Sequence, residues 1–350
     1  MKDQQMKNRL LVLLASAGLF LARSPAGAAT FAEDFSLNPL QHGWQIFGDT
    51  NLFSWNATND QLEVTWDSTH PNSYFYHPLE VSLTRYDDFS LEFDLRLTDI
   101  ASGVEPGKTG PMQIGLGFLN LAVATNPNFM RGAFGGAPDV AEFAYYTDGY
   151  YDFADLIYPS PASAVPSFIP ETDSYHYAPV FVSPFDAELP TNEIVHVRLT
   201  YTGANQTAVV TLSTNGVPLN RLPNLVLTDA ANSQFALTDN FHVNTFSISS
   251  YSSAGDDYDS VLAHGTVDNL VITAQLQPIT WLTGGLTSDG HWQAQFFAHS
   301  NWLYTLECST NLHSWMPASP ATAGNEDFML LEDAEPPGPM SFYRVRAQEP

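Results

Sequence analysis

Cysteine and positive charge are both scarce in this sequence of 350 residues. Cys308 is the only cysteine, so no disulfide can form within the chain. Lys and Arg together number 12 against 38 Asp and Glu, which gives a formal net charge of −26. Because a field of this sign repels phosphate groups, we expect no nucleic-acid partner. Because no disulfide is available, the fold must depend on a hydrophobic core.

Long hydrophobic runs are also missing, apart from one near the N-terminus. The apolar stretch 10–22 is shorter than the roughly 20 residues that a membrane-spanning helix needs. It follows three basic residues and precedes Ala26-Gly27-Ala28, the small-residue pattern of a cleavage site. This order predicts a secretory signal peptide over residues 1–28. We therefore expect no membrane span and a secreted, extracellular or cell-surface protein.

The common motifs of catalytic chemistry are not found either. The sequence contains no Gly-x-Ser-x-Gly elbow, P-loop or dinucleotide fingerprint. Its histidines are scattered without the spacing of zinc ligands. No specific enzyme class follows from the sequence.

What is present is strand-like alternation of apolar and polar residues. The clearest segment is 91–97, with four apolar residues on one face and three charged residues on the other. Similar alternation predicts strands over 113–118, 195–201 and 265–273, and Asn215-Gly216 predicts a two-residue hairpin turn. Many short strands separated by turn residues indicate an all-β sandwich.

Two regions interrupt this pattern. Residues 126–190 are rich in Pro, Tyr, Phe and Asp, and only 139–146 is strand-like, so we expect long loops over one rim of the sandwich. A boundary at 275–278 separates a large domain, residues 30–276, from a small C-terminal module, residues 279–350.

Several segments of the large domain resemble the concanavalin A-like lectin/glucanase superfamily. The likeness rests on 31–36 as a first strand, 44–66 as an early hairpin, 86–93, the Asn215-Gly216 hairpin and the closing 267–270. The resemblance implies a two-sheet jelly-roll sandwich and a glycan or polysaccharide as partner.

The tail resembles a different module. The segment Tyr304-Thr305-Leu306 and the closing stretch 341–345 are similar to immunoglobulin- or fibronectin-type modules of secreted bacterial proteins. Such modules imply attachment or spacing. The fold expected for the whole chain is therefore a jelly-roll sandwich followed by a small β-sandwich module.

The carboxylates of the glucanase branch of that superfamily are not in place. That branch carries Glu-x-Asp-x-x-Glu on one strand, whereas Glu92-Phe93-Asp94 is followed by Leu97 where the second glutamate should stand. Since glycoside hydrolysis needs two carboxylates, we favour a non-catalytic glycan-binding protein. The alternatives are a hydrolase with an atypical carboxylate site around Glu142 and an extracellular structural or adhesion protein. Glu92 and Asp94 are then interpreted as a solvated sheet face partnered by Arg96.

A sugar-binding face needs aromatic surfaces and a few polar groups for hydroxyls. Strand parity places Glu142 and Tyr146 on one face of their strand. If the two strands are neighbours, the residues at 113, 115 and 117 share this face. Gly115 and Gly117 would then leave room for a ligand. We hypothesise a shallow groove formed by the ligand-binding residues Glu142, Tyr146, Arg96 and Arg198. In the alternative interpretation, the tyrosines of this region only cap the core.

Calcium is the metal that suits an acidic exported chain, because it prefers oxygen ligands. The resemblance implies a structural calcium ion between the first and last strands, with Glu33 or Asp34 and Asp268 as the corresponding metal ligands. Two further acidic clusters, 256–259 and 148–155, lack the spacing of a calcium loop. The alternative for all three places is a solvated turn.

Overall fold

The computed structural model describes residues 29–131, 138–153, 156–160, 162–169, 187–219, 225–226, 240–325, 327–337 and 341–348. The predicted signal peptide, 1–28, lies outside these residues and stays a prediction. Within them, no helix is long and apolar enough to cross a membrane.

Strands dominate the described chain, and the only α-helix in it is the single turn α1 (Leu121–Ala124). The strands up to residue 275 are β1 (Ala29–Glu33), β2 (Gln45–Phe47), β3 (Phe53–Asn56), β4 (Gln61–Asp67), β5 (Ser73–Thr84), β6 (Asp88–Ser102), β7 (Gly110–Pro111), β8 (Gln113–Leu119), β9 (Val140–Tyr146), β10 (Gly149–Phe153), β11 (Leu156–Ser160), β12 (Ser163–Ile169), β13 (Val195–Thr202), β14 (Thr207–Thr214), β15 (Val217–Pro218), β16 (Leu225–Val226), β17 (His242–Ser250) and β18 (Asp259–Gln275). Two single-turn 3-10 helices, Pro39–Gln41 and Thr50–Leu52, lie between the early strands.

These strands form two large sheets that pack face to face. Sheet A has the order β15-β14-β13-β6-β18-β4-β3, with β1 beside the second half of β18, and sheet B has the order β12-β9-β8-β17-β5-β2. Alternation along each strand buries one face, because successive side chains point to opposite sides. Aromatic rings from the two sheets meet in the core, such as Phe93 with Phe143 and Phe89 with Phe118, at centroid distances of 5.8 and 5.4 Å. The predicted jelly-roll-type sandwich is confirmed.

The predicted strands and the hairpin are confirmed at residue level. Segments 91–97, 113–118, 195–201 and 265–273 lie within β6, β8, β13 and β18. Asn215 and Gly216 join β14 to β15 with φ values of 52° and 74°. Positive φ at both central residues is the requirement of a type I′ turn, which matches the twist of a hairpin.

The expectation of long loops over 126–190 is wrong for part of that region. Strand β9 covers the predicted segment, but β10, β11 and β12 follow it, with β12 paired to β9 at the edge of sheet B. Every side chain of β12 is buried, so its sequence shows no alternation. Residues 170–186 lie outside the described residues.

A second, smaller β-sandwich follows residue 279. Its strands are β19 (Thr280–Leu286), β20 (Trp292–Ala298), β21 (Leu303–Ser309), β22 (Met316–Pro317), β23 (Thr322–Ala323), β24 (Asp327–Asp333) and β25 (Phe342–Gln348). One sheet has the order β19-β20-β24, and in the other β21 pairs with β22, β23 and β25. Phe296, Tyr304 and Leu306 belong to a core of its own. Tyr86 contacts Phe297 of this sandwich at a ring distance of 4.7 Å.

Candidate functional site

The face of sheet B that points away from the core is polar and carries small residues at its centre. Gly117 of β8 lies opposite Glu142 of β9 and Ser247 of β17, and Glu142 lies opposite Ser167 of β12. In the neighbouring row, Gly115 lies between Ala144 and Ser249. The predicted sharing of one face by 113, 115 and 117 with Glu142 and Tyr146 is therefore correct.

The room above the two glycines is already filled. A Cβ atom on Gly115 would lie 2.6 Å from Glu142 Oε2 and 2.7 Å from the ring of Tyr251. A Cβ atom on Gly117 would lie 2.4 Å from Glu142 Cα. The glycines thus allow the chain's own side chains to approach the sheet, and the expectation that they leave space for a ligand is wrong.

Glu142 is the centre of a buried ion-pair network. Arg131 donates to Glu142 Oε1 from Nη2 at 2.6 Å and from Nε at 3.1 Å, and its Nη2 also contacts Ser167 Oγ at 2.9 Å. The hydroxyl of Tyr251 donates to Glu142 Oε2 at 2.6 Å. Arg131 and Glu142 are only 1% and 2% exposed. Such a pair is costly to desolvate, and each partner depends on the other to remain buried.

The guanidinium of Arg131 and the hydroxyl of Tyr251 both keep their protons at neutral pH. Burial by itself lowers the pKa of Arg131, but the charge and hydrogen bond of Glu142, together with Tyr146 and Tyr251, outweigh burial, and the net pKa is raised. Burial raises the pKa of Tyr251 well above its ordinary value, and the negative charge of Glu142 raises it further. Arg131 therefore stays charged and Tyr251 stays protonated, so both continue to donate to Glu142.

A surface pocket of about 470 Å³ lies where this network meets the rim of the sandwich. Its lining comes from three loop segments and contains no charged side chain: Thr69, Pro71, Asn72, Pro127, Asn128, Phe129, Met130, Ser252, Ala254 and Gly255. Asn72 ties the segments together, because its Nδ2 donates to Phe129 O and its Oδ1 accepts from Ser252 N, both at 2.8 Å. Met130 precedes Arg131 and Ser252 follows Tyr251, so the network holds both walls in place.

The four residues predicted to line one groove do not come together. Glu142 and Tyr146 lie on β9 in sheet B and are both buried. Arg96 and Arg198 lie on β6 and β13 in sheet A, where their neighbours show that they point to its outer face. The core separates the two pairs, since one pair belongs to each sheet. Tyr146 packs with Ala144 and Val165 in a small separate cluster.

On the outer face of sheet A, Glu92 and Asp94 pair with other side chains than the predicted Arg96. Glu92 is paired with Arg198, whose Nε lies 3.3 Å from Glu92 Oε1, and Asp94 Oδ1 lies 3.0 Å from His196 Nδ1. These partners stand on the adjacent strand β13, directly opposite the two carboxylates. Arg96 instead lines an open polar groove over β4, β6 and β18.

Glu33 and Asp34 make hydrogen bonds within the chain, and the calcium site at Glu33, Asp34 and Asp268 stays a prediction. Both carboxylate oxygens of Glu33 already accept hydrogen bonds, one from Phe35 N at 2.8 Å and one from Trp44 Nε1 at 2.9 Å. Asp34 Oδ1 accepts from both the backbone N and the hydroxyl of Ser36. Across the described part of the chain, no group of three or more His, Cys, Asp or Glu side chains is arranged to hold a metal.

Asp268 lies opposite Asp94 in the ladder between β18 and β6. Partial burial raises its pKa, and the negative charges of Asp94, Asp34 and Asp60 add to the effect. Asn269 reduces this repulsion, since its Nδ2 donates to Asp94 Oδ2 at 2.9 Å.

Sequence reasoning missed Arg131 and Tyr251, which complete the network around Glu142. Arg131 stands in a Pro- and Phe-rich stretch without periodicity, and Tyr251 is 109 residues away from Glu142 in the chain. A hint was nevertheless present, because an isolated glutamate in the apolar strand 140–146 needs a buried cationic or hydroxyl partner.

No protein-family model matches the sequence, and none of the curated proteins is significantly similar to it. Among solved structures, lectin UEA-II complexed with galactose aligns with 72% of this chain and 100% of its own, at 14% identity and a TM-score of 0.42. A lectin from Bauhinia forficata in complex with GalNAc aligns with 71% of this chain and 98% of its own, at 11% identity and a TM-score of 0.38. A sialidase aligns with 71% of this chain over 19% of its own, at 10% identity and a TM-score of 0.34. At these values the likeness carries no argument about a ligand, which must come from the site.

Proposed function

We propose that this protein is a secreted or surface-associated, non-catalytic glycan-binding protein, and that the pocket between 69–72, 127–130 and 252–255 receives the sugar. The observation that carries the proposal is the uncharged lining of that pocket in a chain with a net charge of −26. A neutral ligand suits such a pocket, because the surrounding negative field offers nothing to an anion.

The chemistry of the lining suits a sugar. Pro71, Pro127 and Met130 present exposed apolar surface, against which the C–H face of a pyranose can pack. The exposed amide of Asn128 supplies both a donor and an acceptor for vicinal hydroxyl groups. Sugar sites combine these two kinds of group, and the buried network behind the pocket fixes their positions.

The non-catalytic part of the proposal rests on the carboxylates. Glycoside hydrolysis requires two carboxyl groups that reach the scissile bond from either side. The described lining of the pocket carries none, and Glu142, on which the hydrolase alternative depends, is buried and engaged with Arg131 and Tyr251. The secreted location and the role of the tail as a spacer or attachment unit rest on the sequence patterns alone.

A glycan array followed by calorimetric titration of the best ligand tests this function. We expect Asn128→Ala to weaken binding by about tenfold, which corresponds to the loss of one or two hydrogen bonds. Asn59→Ala, in an exposed turn of sheet A, is the matched control and should leave the affinity unchanged. Absence of binding by the wild-type protein to every glycan, or equal affinities of the two variants, would refute the assignment. Release of reducing sugar by the wild-type protein would favour the hydrolase alternative instead.

A further inference from the structure

A second buried polar cluster holds the loop 251–258, which joins β17 to β18 and forms one wall of the pocket. Asp259 begins β18 and is completely buried, at 0% exposure. As a carboxylate, neither of its oxygens meets a hydrogen-bond donor. Gly110 packs so tightly on it that a Cβ atom there would lie 2.0 Å from Asp259 Oδ1. A bare, unpartnered carboxylate at such a place is strongly unfavourable.

The groups around Asp259 leave one negative charge uncompensated. Asp256, from the same loop, interacts directly with the Asp259 side chain, and its own Oδ1 accepts from the backbone N of Tyr258 and Asp259. The positive charge that acts on Asp259 is that of Lys108, from the segment between β6 and β7, which also donates to Ser253 O. Two carboxylates and one ammonium group therefore carry a net charge of −1 unless a proton is added.

The other neighbouring ionisable group is already satisfied. Glu105, on the same segment as Lys108, accepts hydrogen bonds from the hydroxyls of Ser68 and Ser253. It therefore braces the loop, and as a carboxyl group it offers Asp259 no positive charge. The segment 110–111 of β7, which packs against Asp259, contributes no ionisable side chain.

We infer that Asp256 and Asp259 form a carboxyl pair that shares one proton, and that this proton keeps the pocket wall 252–258 in place. The shared proton supplies the hydrogen bond that Asp259 lacks and removes the negative charge that Lys108 leaves uncompensated on the carboxyl pair. Burial raises the pKa of Asp259 to about 8, and the charge of Asp256 contributes to the same direction. Because Asp259 is fully buried, it cannot reach a bound sugar, so its role is to hold the loop.

The proton on Asp259 makes the stability of the folded chain fall as the pH rises. The unfolded chain releases this proton near the ordinary aspartate pKa of 3.8, whereas the folded chain keeps it to about pH 8. Asp259 therefore contributes most to stability below about pH 4, and its contribution falls as the pH rises towards about 8. Above that value both states have released the proton, and no further loss follows.

Urea unfolding of the full chain at pH 5 to 9 tests the inference, with Asp259→Asn as the variant that cannot titrate. We expect the unfolding constant of the wild type, divided by that of the variant, to rise by about tenfold per pH unit up to about pH 8 and then to level off. Asp257→Asn removes an exposed charge from the same loop, and its ratio should stay flat. A flat ratio for Asp259→Asn would overturn the inference. So would a slope that disappears when a chelator is added, since a metal would then occupy the place of the proton.

Two further measurements separate this inference from the proposed function. Carboxyl-carbon NMR can be measured on the wild-type protein, so it does not depend on the folding of a variant. We expect one carboxyl group to titrate near pH 8. The absence of any carboxyl titration above pH 6 would refute the shared proton. The effect of deprotonation on the pocket is measured as glycan affinity, so this part of the inference rests on the proposed function. We expect the wild-type protein to lose glycan affinity between pH 7 and 9, and Asp259→Asn not to show this loss. The stability ratio and the NMR titration use no ligand, so they can succeed where the binding proposal fails.

Discussion

The buried ion pair behind the pocket gives the sharpest expectation for stability. In the wild-type protein, the 2.6 Å contact with Glu142 is the only ion pair that the described residues offer Arg131. The substitution Glu142→Gln therefore leaves the guanidinium of Arg131 buried without a carboxylate partner. Breaking a buried pair from one side costs about 3–5 kcal/mol, because an uncompensated charge remains. Since a whole domain is stable by about 5–15 kcal/mol, this is a large share. Each kcal/mol shifts Tm by roughly 2–4 °C for a domain near this size, so a fall of about 6–20 °C follows.

A double-variant cycle by urea unfolding isolates this interaction. Arg131→Met with Glu142→Gln removes both charges, and we expect it to recover about 2 kcal/mol or more relative to the sum of the two single variants. Glu63→Gln, an exposed glutamate on the outer face of sheet A, is the matched control and should change the free energy of unfolding by less than about 0.5 kcal/mol. A fall of less than about 1 kcal/mol in the free energy of unfolding of Glu142→Gln, or strict additivity in the cycle, would show that the ion pair does not stabilise the outer face of sheet B.

Two other expectations follow from the same contacts. Gly117→Ala should destabilise the protein by about 1–3 kcal/mol, because the new methyl group would lie 2.4 Å from Glu142 Cα, whereas Gly285→Ala, with open space around it, should be tolerated; equal unfolding midpoints for the two variants would contradict the close approach. Addition of a chelator should leave Tm unchanged in thermal unfolding, since both oxygens of Glu33 are occupied by N–H donors; a fall in Tm reversed by calcium would support the predicted metal site.

The sequence was sufficient for strands whose two faces differ. Alternation from 91 to 97 identified a strand of sheet A, and the parity of Glu142 with Gly117 identified a shared face, because both patterns are local. Strand β12 was missed, since its residues are buried on both faces and show no period of two. Periodicity cannot find such a strand without knowledge of its neighbours.

The composition of the site was harder to predict than the fold, because its contacts are distant in the chain. Strand parity placed Arg96 on the same face as Glu92, but parity along one strand cannot show that Arg198 stands directly opposite on the neighbouring strand. It also cannot show whether a face is open. The sequence predicts Glu142 in a shallow binding groove, and only the approach of Arg131 and Tyr251, from two separate loops, reveals that it is covered.

The two buried polar clusters have one structural consequence in common. The loop 251–258 is attached at its start through Tyr251 to Glu142, and at its end through Asp259 to Asp256 and Lys108. Hydrogen bonds and charges depend on geometry more strongly than apolar contacts do, so they hold a loop in one conformation. The first attachment keeps its protonation near neutral pH, because the pKa of Tyr251 is raised well above its ordinary value, whereas the second loses its proton near pH 8. An alkaline shift should therefore loosen only the end of the loop near Asp256, and the pocket should widen on that side while the wall formed by Met130 stays in place.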